Sequence, residues 1–142
     1  MEKLGIMTTI GIIGSFISNS FGGWNEAMTT LCIFMLTDYV TGLIVAGVFK
    51  NSTKTNDGGL ESKAGFKGLM RKFAVLLLVL IACRLDMMFD TSFVKDCVII
   101  AFIVNETISI TENIGLMGVP IPKVIEKAIT LLNEKEEEKN EF

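Results

Sequence analysis

The sequence contains no histidine among its 142 residues. That removes the side chain most often used as a metal ligand, as a general base and as a switch near neutral pH. Three cysteines, Cys32, Cys83 and Cys97, stand far apart, each in an apolar run, and no C-x-x-C pattern occurs. They read as small buried hydrophobes, not as redox or metal groups. Aromatic residues are scarce at 8%. The formal charge is only −3, and no segment interleaves basic with aromatic side chains. A nucleic-acid partner is therefore not expected. No G-x-S-x-G, phosphate loop or metal-ligand spacing is present, and no histidine is available to activate a Ser or Cys. No enzymatic activity, metal or cofactor is expected.

What is abundant is aliphatic. Half of the residues are hydrophobic and the mean hydropathy is +0.52, high for a soluble domain. Four apolar segments stand out: Leu4 to Gly23, Ala27 to Phe49, Phe73 to about Phe89, and Phe93 to about Leu116. A bilayer core of ~30 Å takes about 20 helical residues. The expected fold is all-α: a membrane domain over 1–116 with about four transmembrane helices, and a charged cytoplasmic tail over 117–142. The third segment is clean only from Phe73 to Cys83. It reaches spanning length if Arg84 and Asp86 are tolerated.

The segments differ in pattern. In the first, Thr8, Gly11, Gly14, Ser15, Ser18 and Gly22 fall on one helical face, opposite Ile10, Ile13, Phe16, Ile17 and Phe21. A stripe of small residues admits a second helix backbone at close range. Two other readings of this segment are a signal peptide cleaved at "SNS" and an amphipathic helix lying on the membrane surface. In the second segment Asp38 sits mid-span and shares a face with Thr41, Gly42 and Val45. In the fourth, Glu112, Asn105, Ser109, Asn113 and Glu106 fall in that order within an arc of ~120°. Ile99, Ile103, Thr107, Ile110 and Ile114 are expected on the lipid side. Charged groups at mid-bilayer cost about 2.5–3.5 kcal/mol each on insertion scales, so Asp38 and Glu106 need partners, protons or water. Arg84 is the basic group placed deepest in an apolar segment. It either pairs with Asp38 or Glu106, or snorkels to the outer headgroups.

The connecting segments suggest an orientation. The stretch 50–72 holds Lys50, Lys54, Lys63, Lys67, Arg71 and Lys72 against Asp57 and Glu61, whereas "GGWNEA" has no Lys or Arg and "DTSFVK" has one. An excess of basic residues marks a cytoplasmic loop, which with four spans places both termini in the cytoplasm too. Within the loop, "LESKAGFKGLMRKF" reads as an amphipathic helix lying on the inner leaflet before the third span. After the fourth segment, "GVPIPK" ends the helix, since Pro120 and Pro122 bias the residues before them away from the α region. The tail that follows ends in a solvated charge run.

Four pieces of the chain, in order, resemble the phage lysis and toxin-secretion holin family of Gram-positive bacteria and their phages, which includes the clostridial toxin-secretion holin. They are "DYVTGLIVAGVFKN", "SKAGFKGLMRK", the Asp86 that follows an apolar run, and "NETISITENIGLMGVPIPK". The resemblance runs from about Asp38 to Lys123. It points to Asp38, Gly42, Ser62, Gly65, Gly68, Arg71, Lys72, Asp86, Glu106, Ser109, Glu112, Asn113, Gly118, Pro120 and Pro122. It implies a small protein of the bacterial cytoplasmic membrane that accumulates, assembles with itself and forms lesions at a set time. Endolysin or a toxin then passes as cargo without specific binding. Beyond the bilayer and copies of the chain, an antiholin is an implied partner. Two other readings stay open: a small proton- or cation-coupled transporter using Asp38 or Glu106, and an antiholin of the same family.

Overall fold

A computed structural model describes residues 1–141 and forms five helices, with no strand among the described residues: α1 (Glu2–Ser20), α2 (Glu26–Gly47), α3 (Ser62–Phe89), α4 (Phe93–Leu116) and α5 (Lys123–Asn140). The protein is all-α. The cytoplasmic tail expected over 117–142 corresponds to α5 and its connection; Phe142 lies outside the described residues.

Local sequence sets several of the helix ends. Asn25 caps α2, its Oδ1 accepting the Met28 amide at 3.0 Å, which satisfies one of the amides a helix start leaves without partners. Gly22 has φ +73, and a Cβ there would come within 2.9 Å of the Met87 side chain and 3.0 Å of Cys83 Sγ. Glycine is needed on both counts, to turn the chain and to let it pass close to α3. At the far end of α4, Gly118 has φ +84. The Val119 amide donates back to the Ile114 carbonyl at 3.3 Å, a helix stop of the left-handed type. The extended residues around Pro120 and Pro122 follow, and α5 starts directly after Pro122.

The amphipathic loop helix and the third apolar segment are one element, a correction to the expectation of a separate helix lying on the leaflet. α3 runs unbroken for 28 residues from Ser62 to Phe89. Nothing between Arg71 and Phe73 interrupts it, and extending a helix adds a hydrogen bond per residue where starting another repeats the nucleation cost. Residues 62–72 therefore continue the axis of α3 and flank the other helices.

Helices α2, α3 and α4 pack together, with α4 against both of the others. Their interior has three levels. At the end near the α3–α4 turn lies an apolar core of Met28, Leu31, Met35, Val79 and Ile99. Mid-way lies a cluster of polar groups. At the end near the 50–61 loop an open cleft separates α2 from the first half of α3. Ile99 is 1% exposed and Ile103 packs against this core, which corrects the place on the lipid side expected for both. Ile99 stands seven residues before Glu106 and so shares the inward face of α4.

The exterior is strongly apolar. In α1 no residue is buried; Leu4, Met7, Ile10 and Phe16 are each at least 64% exposed. Nothing approaches within 4 Å of a Cβ built at Gly11 or Gly14, so the small-residue stripe with Ser15 and Ser18 faces no helix of its own chain. α1 is held at its C-terminal end, where Phe21 packs on the core and its carbonyl accepts Lys95 Nζ at 2.6 Å. By length and composition one helix of the described residues, α2, is apolar enough to cross a membrane. The four-span count is not carried by the helices themselves.

Candidate functional site

Each of the three packed helices sends one charged side chain to the middle level. Lys72 of α3 donates to Asp38 Oδ2 of α2 and to Glu106 Oε2 of α4, both at 2.7 Å. Asp38 is 7% exposed and Glu106 8%. The fit follows from helix position: Asp38 lies about 18 Å along α2 from its start and Glu106 about 20 Å along α4. The two helices run in the same direction, with α3 antiparallel to both, so residues at equal depth meet and Lys72 reaches both carboxylates at once. Counted with both carboxylates ionised, the triad carries one negative charge. One proton makes it neutral.

Further bonds from α4 fix Asp38. Asn113 Nδ2 reaches Asp38 Oδ1 at 3.1 Å, the Asp38 carbonyl at 3.3 Å and Thr41 Oγ1 at 3.0 Å. Ser109 lines the cleft beside Asp38. Gly42 faces Asn113, and a Cβ there would lie 3.8 Å from its Nδ2. No buried side-chain nitrogen or oxygen among the described residues lacks a partner. Burying an ion pair costs more than its attraction returns unless the remaining lone pairs are satisfied; at Asp38 the second oxygen is held by Asn113.

The polar arc of α4 therefore divides. Glu106, Ser109 and Asn113 face α2 and α3, whereas Asn105 and Glu112 are exposed. Asn105 borders the cleft. Arg84 does not supply the counter-charge, a correction to one of its two expected roles. Its side chain is exposed and Nη1 contacts Met87 Sδ at 3.3 Å. The cation is Lys72, which the sequence reading assigned to the loop. The signal was present: Lys72 is the basic residue adjoining the third apolar run, on the same helix.

Asp86 has a different task. Its Oδ1 accepts the Thr91 hydroxyl at 2.6 Å and the Val94 amide at 3.1 Å; its Oδ2 accepts the Lys95 amide at 2.8 Å. A carboxylate near the end of one helix thus caps the start of the next and closes the α3–α4 hairpin, where anionic charge is favoured by the exposed amides. Gly65 and Gly68 face Tyr39, where Cβ atoms would make ordinary contacts at 3.6 Å from its hydroxyl and 3.9 Å from its ring. Lys63, Lys67 and Arg71 project around the cleft with solvent-exposed side chains. Ser62 starts α3, and Gly118, Pro120 and Pro122 end α4 and launch α5.

Comparison with known proteins joins this arrangement to a family. The model of the bacteriophage holin family matches residues 15–134, most of the chain and every member of the triad. The chain belongs to the bacteriophage holin family. Among relatives, the probable holin of Bacillus phage phi105 is 30% identical and covers 78% of this chain and 77% of its own. A Listeria innocua protein of unassigned function is 36% identical over 96% of each chain. The 14.9 kDa protein encoded in the nagH 3′ region of Clostridium perfringens is 34% identical over 87% of this chain and 89% of its own. No solved structure gives a significant match. As a holin-family member, the chain is of a class that acts without enzymatic chemistry, and the membrane and lysis vocabulary of that class applies to it. The first 14 residues of the chain, most of α1, lie outside the family match.

Proposed function

We propose that this chain is itself a holin: a multi-pass protein of the bacterial cytoplasmic membrane that assembles with its own copies and, past a threshold, opens lesions through which endolysin or a toxin leaves. One observation carries the reading, the Lys72–Asp38–Glu106 triad buried mid-way along three packed helices whose outer surfaces are apolar. α2 and α4 are about 33 and 36 Å long, close to the hydrocarbon thickness of ~30 Å. A bundle of that length with its charges paired inside and its apolar side chains outside suits a bilayer. The basic residues of 50–72 support a cytoplasmic loop, which puts the N- and C-termini on the same side.

In this reading α1 completes four spans and supplies the surface for assembly. It offers an apolar helix with an unused stripe of small residues, the geometry in which membrane helices pair closely. The triad holds the resting bundle together. If neighbouring copies pull α4 away from α3, Lys72 loses one carboxylate, and the polar groups Glu106, Ser109 and Asn113 are left to line water.

Induced expression in bacteria tests this. The holin reading predicts normal growth, then an abrupt fall in membrane potential and, with an endolysin co-expressed, rapid clearing of the culture. Glu106→Gln should insert and assemble but lyse late, because the opened stripe then has no ionised carboxylate at 106 to meet water, an effect that outweighs the weaker resting triad. Glu106→Leu should fail to assemble. Cells that stay intact while gaining cation resistance or uptake would indicate a coupled transporter instead. A chain that delays lysis by the phi105 protein, without lysing alone, would indicate an antiholin.

A further inference from the structure

The cleft between α2 and the first half of α3 has a volume of about 540 Å³, within the range of small-ligand sites. The triad forms its floor. Apolar walls come from Leu43, Ala46, Leu60 and Val75. Its mouth is basic: Lys54, Lys63, Lys67 and Arg71 line it, against the single carboxylate of Glu61. None of the four cations forms an ion pair among the described residues; both ion pairs there belong to Lys72. With the triad at −1 and Glu61 at −1, the four cations leave the lining a net charge of +2. A cavity with a basic rim and an apolar wall is complementary to an anion that carries a hydrocarbon part.

We propose that this cleft binds the phosphate headgroup of an anionic phospholipid of the inner leaflet. The inference rests on the membrane placement proposed above. Ser62 lies about 15 Å along α3 from the triad, so residues 63–71 flank the cytoplasmic half of the bundle, at the depth of inner-leaflet headgroups and upper acyl chains. Phe66, Leu69, Met70 and Phe73 are exposed on the same stretch of α3, giving the acyl chains an apolar surface beside the cationic mouth. Arginine and lysine suit phosphate, the first through its planar fork and the second as a mobile point charge. Free phosphate would use the same cations but gain nothing from the walls. A bound headgroup would bridge the loop to α3 and brace the contact between α2 and α3, which is sparse at this level.

Native mass spectrometry of the full chain, purified in mild detergent, tests the proposal with phosphatidylglycerol, phosphatidylcholine and inorganic phosphate as probes. Phosphatidylglycerol should be retained at about one molecule per chain and phosphatidylcholine should not. The triple variant Lys63→Gln/Lys67→Gln/Arg71→Gln should bind the anionic lipid on the order of 100-fold more weakly, at about fivefold per cation. Ala64→Phe, which fills the cleft and keeps every charge, should weaken it too; this second variant serves if the triple variant misfolds. Equal retention of both lipids, or undiminished binding by Ala64→Phe, overturns the site. Displacement of the lipid by inorganic phosphate overturns the lipid assignment. Carbonate extraction of the same chain from bacterial membranes separates the two readings. A chain that is extracted was never embedded, whereas an embedded chain without lipid selectivity refutes only this inference.

Discussion

Removing the shared cation should harm the bundle more than removing either carboxylate. Lys72→Met keeps the length of the side chain and deletes its charge. Asp38 and Glu106, both less than a tenth exposed, then face each other unpaired. Breaking a buried ion pair from one side costs about 3–5 kcal/mol, and here two like charges remain. Glu106→Gln leaves the Lys72–Asp38 pair at 2.7 Å intact and returns the site to neutrality; a lost charge-assisted hydrogen bond costs about 1–3 kcal/mol. The order follows from charge counting: the site goes from −1 to −2 in the first variant and to 0 in the second. Thermal unfolding in detergent, followed by far-ultraviolet circular dichroism, reads the difference. Lys72→Met should lower Tm by on the order of 10–20 °C and Glu106→Gln by about half of that or less. The triple variant Lys72→Met/Asp38→Asn/Glu106→Gln, neutral throughout, should recover much of the loss. A Lys72→Met variant within a few degrees of the parent, or one more stable than Glu106→Gln, would refute the reasoning: the carboxylates would then be solvated and the triad energetically slack.

Three further outcomes are expected. Asp86→Ala should lower Tm by several degrees, since cap losses cost about 1–2 kcal/mol; an unchanged Tm means that the hairpin does not need the bonds to Val94 and Lys95. Gly11→Leu or Ser15→Leu should leave the monomer's helicity intact but reduce cross-linked oligomers and delay lysis, and unaltered oligomers would remove α1 as an assembly surface. Cysteine placed at Thr53 or Glu134 should resist a membrane-impermeant thiol reagent added to intact cells, whereas labelling from outside reverses the orientation drawn from the basic loop.

The sequence showed which groups needed partners more clearly than who the partners were. Asp38 and Glu106 stand out because a charge in an apolar run is costly wherever the run is buried. Their partner was harder to see, because segment boundaries drawn by hydropathy stop at the first charge. Ending the third run at Phe73 put Lys72 in a loop and left Arg84 as the apparent counter-ion; a helix has no reason to end there, and α3 continues to Ser62. Asp86 was visible as a charge in the third run and as part of the family resemblance, but its task was not. Its capping of Val94 and Lys95 depends on a hairpin that brings residues eight and nine positions apart together, and no helical or strand period encodes that. The ~120° arc of α4 was legible as a stripe but not as two parts. Which half of it faces inward depends on where α2 and α3 pack. Gly65 and Gly68 carried no visible reason in the sequence, and in the fold they face Tyr39 with space for a Cβ. The small-residue stripe of α1 was readable from spacing, and the fold of one chain leaves it uncovered.

The central claim is that the chain by itself opens a membrane wide enough for a folded protein. Purified chain reconstituted into anionic liposomes that carry both a small dye and a folded endolysin tests it most directly. With increasing protein-to-lipid ratio, the account predicts retention of both cargoes up to a threshold and then release of both together, with the threshold shifted upward for Glu106→Gln. Release of the dye alone at every ratio, or of neither cargo, contradicts it.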